Sequence, residues 1–99
     1  MNIKIDYKSI ITHYGISAQL KHFHSEIYEL TEAIIDHEWT KSELGINSTK
    51  HISEEIADVM VMLNEFCQYY NLDKNEIKEV MKYKVKRQLE RIRKENEQC

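Results

Sequence analysis

Proline is missing altogether from this chain of 99 residues and glycine occurs only twice, so the turn chemistry that a strand-and-turn architecture relies on is almost absent. With 41% apolar residues dispersed through charged sequence, the composition favours long helices, and an all-α fold is expected. No apolar run approaches the roughly 20 residues needed to cross a bilayer. The first residues, MNIKIDYK, lack the apolar stretch of a signal peptide, so a soluble, cytoplasmic protein without membrane attachment is expected. Cysteine is scarce too: Cys67 and Cys99 have no spacing suggestive of a metal knuckle or a redox pair, and both read as free thiols. The length fits a single domain spanning 1–99, with a core that is adequate but not generous.

The net charge of -3 conceals a division of sign. Residues 1–73 carry five basic and twelve acidic side chains, net -7, whereas residues 74–94 carry nine basic and three acidic, net +6; Glu95 and Glu97 restore the total. Carboxylates gathered in one region and cations in another suit a ligand that combines a metal ion with an anion. Metal-bound phosphate is such a ligand.

Three segments show the four-and-three spacing of amphipathic helices. Ile16, Leu20, Phe23, Ile27, Leu30 and Ile34 form the first stripe, with Ser17 expected as its N-cap. Ile52, Ile56, Val59, Leu63, Phe66 and Tyr70 form the second, capped by Ser48 or Thr49. Ile77, Met81, Val85, Leu89 and Ile92 form a third, where Asp73 is placed to cap and Glu76 follows three residues later as in a capping box. Asp6 is expected to start a short helix ending at Gly15, although Ile3, Ile5 and Tyr7 alternate as a strand would. Residues 37–51, which include Gly45, lack a clear period and read as a loop. The expectation is an antiparallel bundle of about four helices.

Four acids fall in two helical pairs, Glu26 with Glu29 and Glu55 with Asp58. A separation of three residues places each pair on one helix face, and two such helices packed antiparallel bring four carboxylates together. A single glutamate on a helix is ordinarily solvated surface. Both pairs, however, sit at the border of an apolar stripe, where they can face inward. Uncompensated, the four would repel one another strongly, and a hard divalent cation, Mg2+ or Mn2+, is the usual remedy for oxygen donors at this density.

Residues 19–34, QLKHFHSEIYELTEAI, and 52–63, ISEEIADVMVML, resemble the two signature helices of the MazG-type all-α nucleoside triphosphate pyrophosphohydrolases, whose pattern is EExxE, a variable spacer, then ExxD. Here the pattern reads Ser25-Glu26-Ile27-Tyr28-Glu29, a spacer of 25 residues, and Glu55-Ile56-Ala57-Asp58, with Ser25 standing where the family commonly has its first glutamate. The resemblance implies that Glu26, Glu29, Glu55 and Asp58 bind Mg2+, with Mn2+ as an alternative. It also implies that the substrate is a nucleoside triphosphate or related nucleotide, cleaved to monophosphate and pyrophosphate. Glu29, Glu32 and Glu54 are then the candidates for acid–base work. Lys84, Arg87 and Arg91 share one helix face, similar to basic spacings on the last helix of short phage-type relatives, and are candidate phosphate ligands. Trp39, Tyr28 and His22 are the candidates for contact with the base, each weighed against plain packing or surface roles.

Other readings compete. A di-iron bundle also sets glutamates on facing helices, but it normally requires Glu-x-x-His, and no acid here has His three residues on. A catalytically silent helical interaction module that retains the acidic motif is the main alternative to an enzyme. Nucleic-acid binding is disfavoured, because no recognition motif accompanies the basic segment. Apolar residues such as Met60, Met62 and Tyr69, beyond what one small bundle covers, lead to the expectation of a homodimer or a tetramer of dimers.

Overall fold

The computed structural model describes residues 4–44 and 48–98. Among these residues there are four helices and no strand: α1 (Lys8–Tyr14), α2 (Ile16–Leu44), α3 (Ser48–Tyr69) and α4 (Lys74–Glu97). None is long and apolar enough to cross a membrane. Gly45 and Cys99, and the alternation that begins at Ile3, lie wholly or partly outside the described residues.

A helix as short as α1 has too few internal hydrogen bonds to stand alone. Two local acceptors and one distant clamp supply the rest. Asp6 accepts from the Ser9 amide at 3.1 Å and the Ser9 hydroxyl at 2.6 Å, bonds that hold its carboxyl below its ordinary pKa, the hydroxyl contributing most. Gln68 of α3 accepts from the amides of Tyr7 and Lys8 at 2.8 and 2.9 Å and donates to the Ile5 carbonyl at 2.8 Å. Helix α1 ends at Gly15, whose φ of +90° is a conformation that side chains with a Cβ rarely adopt. Helix α2 starts directly after it at Ile16, so Ser17 lies inside the helix rather than at its N-cap.

The expected loop over 37–51 is largely helical. Helix α2 runs on to Leu44 through one non-helical residue, Thr40 (φ -129°, ψ 25°), whose hydroxyl donates to the Asp36 carbonyl at 2.6 Å. Helix α3 has already begun at Ser48. A weak hydrophobic period conceals a helix that its own backbone bonds can sustain, and the same error put Trp39 on a loop, whereas it sits exposed on α2. At the start of α4 the expectation holds: Asp73 accepts from the amides of Asn75 and Glu76 at 2.8 and 3.4 Å.

Helices α2 and α3 form an antiparallel hairpin, since Gln19 early in α2 pairs with Glu65 late in α3, and His37 late in α2 pairs with Ser48 at the start of α3. Its seam is rotated from the two predicted apolar stripes. Phe23, Leu30, Ile52, Val59 and Phe66 face it, with the Phe23 and Phe66 rings edge to face at 5.4 Å, but Leu20, Ile27, Ile34, Ile56 and Leu63 are exposed. In their place the seam buries Gln19, Glu26, Ala33, Ser48, Glu55, Met62 and Glu65. Helix α1 packs across both hairpin helices, burying Ile11 completely. Helix α4 touches the rest of the chain only marginally and buries none of its residues.

Candidate metal centre

Halfway along the seam, α2 presents Glu26 and Glu29 and α3 presents Glu55, and one carboxylate oxygen from each lies within 4.8 Å of the other two. Glu26 and Glu55 are 8% and 9% exposed, while Glu29 stands at the solvent edge. The two buried carboxylates are arranged alike. Oε1 of Glu26 is 3.5 Å from Nε2 of His22, one turn earlier on α2, and Oε1 of Glu55 is 3.9 Å from Nε2 of His51, one turn earlier on α3. Oε2 of each is buried and has no hydrogen-bond partner.

A buried carboxylate oxygen without a donor is costly, and like charges beside it add to the cost. Glu26 shows the effect: burial, then the charges of Glu29 and Asp58, raise its pKa above the ordinary 4.5, and His22 offsets this only in part. A divalent cation would give both Oε2 atoms a partner and cancel the repulsion, and an all-oxygen donor set of this kind suits Mg2+ or Mn2+. The chain's residues therefore fit the cation that the acidic pairs led us to expect.

Because the folded chain keeps the Glu26 proton to higher pH than the unfolded chain does, the metal-free protein should lose stability as pH rises from 4.5 through the raised value. Urea unfolding in the presence of a chelator, from acidic to neutral pH, checks this. Glu26→Gln should flatten that part of the profile, and an equal slope in both proteins would show that another group is responsible.

Asp58, expected as a fourth ligand, is exposed and falls outside the group of three, but its charge is felt at Glu26. Glu32 is half-buried and Glu54 exposed, and neither is one of the three clustered acids. Ser25 faces solvent, its hydroxyl turned back to the Lys21 carbonyl at 3.4 Å. Tyr28 and Trp39 are 66% and 76% exposed, so neither is held against the acids. Lys84, Arg87 and Arg91 lie on α4, away from the hairpin seam, and the Arg87 guanidinium sits 5.8 Å over the Tyr83 ring. No family model, curated protein or solved structure matches this chain.

Sequence reading passed over His51, although it precedes Glu55 as His22 precedes Glu26. The signal was present: HFHSEIYE and HISEEIAD share His-x-x-x-Glu-Ile-x-acid. It also passed over the buried pair in which Gln19 Nε2 donates to Glu65 Oε1 at 2.7 Å. Gln19 lies seven residues before Glu26 and so continues the seam by two turns, and Glu65, seven after Asp58 and three after the buried Met62, meets it from the edge of α3. Gln19→Ala removes a donor to a carboxylate that is 3% exposed. It should destabilise the protein by about 1–3 kcal/mol in urea unfolding, whereas Gln19→Leu combined with Glu65→Leu should cost much less. An equal loss in both would show that packing, not the hydrogen bond, matters there.

Proposed function

We propose that this chain is a divalent-cation-dependent nucleotide pyrophosphohydrolase, converting a nucleoside triphosphate or related nucleotide to the monophosphate and pyrophosphate. The observation that carries the proposal is the convergence of three carboxylates around two buried oxygens that have no donor, within segments that resemble the EExxE and ExxD helices of MazG-type enzymes. A structural salt-bridge site would hold a lysine or arginine here. None is paired with either buried oxygen.

Glu26, Glu29 and Glu55 would hold Mg2+ or Mn2+, with Asp58 next to them. The cation would supply neutralisation of phosphate charge and a more acidic bound water. The protein's own part is to bring the three carboxylates together on two rigid helices, so that little reorganisation is needed when the cation arrives. Glu29 stands at the exposed edge of the cluster, where substrate and water have access, and is the leading candidate for accepting a proton; Glu32 and Glu54 are the further candidates. Phosphate contact from Lys84, Arg87 and Arg91 is a separate element of the proposal, since α4 hardly touches the hairpin within one chain.

The deciding experiment is a nucleotide screen with Mg2+ or Mn2+ that follows monophosphate and pyrophosphate together. Equimolar release of both, dependent on the cation, is the expected result. Absence of turnover across all nucleotides, with cation binding retained, would favour the silent interaction module. Lys84→Ala and Arg87→Ala should raise KM several-fold and leave affinity for the cation alone unchanged; equal loss of both would place these residues in a structural role.

A further inference from the structure

The two buried glutamates sit in one repeated pattern. His22, Glu26, Ile27 and Glu29 on α2 correspond to His51, Glu55, Ile56 and Asp58 on α3, with the same spacing at every step. Neither histidine is needed to fill space, since their side chains are 55% and 58% exposed. Each nevertheless brings Nε2 to Oε1 of the glutamate one turn on.

The separations, 3.5 and 3.9 Å, define the kind of contact. They exceed the roughly 2.7–3.2 Å of an N–H···O hydrogen bond, so neither ring satisfies its carboxylate as a donor. Two ligands of one ion stand further apart. With metal–ligand bonds of about 2.1 Å, ligand atoms at right angles around an ion are about 3.0 Å apart and opposed ones about 4.2 Å. Both pairs fall inside that interval without any movement of the backbone. Four residues along one helix is also the spacing at which two side chains grip a common ion.

Among the described residues, the acids that converge are Glu26, Glu29 and Glu55, so nitrogen enters at the margins of the cluster and not at its centre. Each histidine precedes its glutamate by four residues, about 6 Å of helix rise. Because α2 and α3 are antiparallel, these displacements run in opposite directions, and one ion cannot meet both rings. Each nitrogen–oxygen pair needs its own ion. Oε2 of each glutamate, buried without a partner, is a further oxygen that such ions can claim. Glu29, with Asp58 as its counterpart in the repeat, supplies more.

We propose that the seam is a mixed nitrogen and oxygen site for two transition-metal ions, His22 and Glu26 gripping one, His51 and Glu55 the other. Imidazole suits ions such as Zn2+ and Fe2+, whereas Mg2+ takes oxygen and water. The histidines therefore turn the seam away from the Mg2+ that its carboxylates alone would favour. This inference rests on reading the seam as a cation site, and not on nucleotide chemistry.

Zn2+ titration of the full chain, followed by NMR of the histidine ring nitrogens, tests it. Nε2 of His22 and of His51 should shift, saturating at two ions per chain, and should stay in place with Mg2+; the exposed His24 should not move with either. His22→Gln and His51→Gln should each weaken one Zn2+ site at least about tenfold, the least that loss of even an outer partner of a ligand costs, and leave Mg2+ affinity unchanged. Equal loss for both ions would make the histidines structural and overturn the proposal. Zn2+ bound with both ring nitrogens unmoved, or as a single ion, overturns it too, while the cation site itself stands. Binding of neither ion removes the site and the proposal together.

Discussion

Replacing Glu55 with Gln should abolish cation binding and reduce nucleotide hydrolysis by more than the roughly 10–100-fold that follows loss of a mere orienting partner of a metal ligand. The substitution preserves shape and removes one charge from a group of three converging carboxylates. It should therefore also make the metal-free protein more stable, because a buried oxygen without a donor and a repelling neighbour are relieved together. The opposite signs of these two effects are diagnostic. Ordinary core damage lowers stability and activity in parallel, whereas a carboxylate kept for a ligand lowers activity and burdens the unliganded fold. Glu38→Gln, at an exposed position of α2, is the control that should change neither. Full activity in Glu55→Gln would move the chemistry elsewhere, and reduced stability without metal would show that the buried charge has an unrecognised partner.

Saturating Mg2+ or Mn2+ should raise the melting temperature substantially. A ligand that binds only the folded state at a hundred times its dissociation constant adds about 2.7 kcal/mol. For a domain of this size that corresponds to about 10–20 °C. Calorimetric scans with chelator and with millimolar cation provide the measurement, and Glu26→Gln should erase most of the shift. Ca2+, larger and less demanding in geometry, tests whether the cluster discriminates by size. No shift with any of the three ions would remove the cation from the account of this seam.

The helices were legible where propensity and pattern agreed. Asp73 and the stripe that begins at Ile77 announce α4 and its start, and the acid pairs lie on α2 and α3 as their spacing requires. The segment after His37 was misjudged because periodicity measures a helix's burial rather than its existence; Trp39 is exposed on a helix that has little apolar face there. The rotation of the seam was illegible for a related reason. Both stripes are broad enough to serve two neighbours, and sequence does not say which edge meets which partner. Glu26 and Glu55 looked like border residues, yet they are seam residues, and Ile27 and Ile56 beside them are on view. Read by hydrophobicity alone, the hairpin would close on Ile27 and Ile56; its seam takes in the carboxylates beside them instead. Likewise Lys84, Arg87 and Arg91 were legible as a basic face, but no sequence spacing reports where α4 points after Asp73.

The clamp formed by Gln68 also has a kinetic meaning. The amides of Tyr7 and Lys8 take their acceptor from a side chain about sixty positions away, so α1 cannot complete its first turn until the end of α3 is in place. Closing so long a loop comes late in folding, and of the three helices that pack together α1 should be the last to form and the first to fray. In native-state hydrogen exchange those two amides should exchange at the rate at which α1 detaches from the hairpin. Gln68→Ala should release them without disturbing protection around Val59 and Met62, making the N-terminal helix a separately opening unit on a more durable pair.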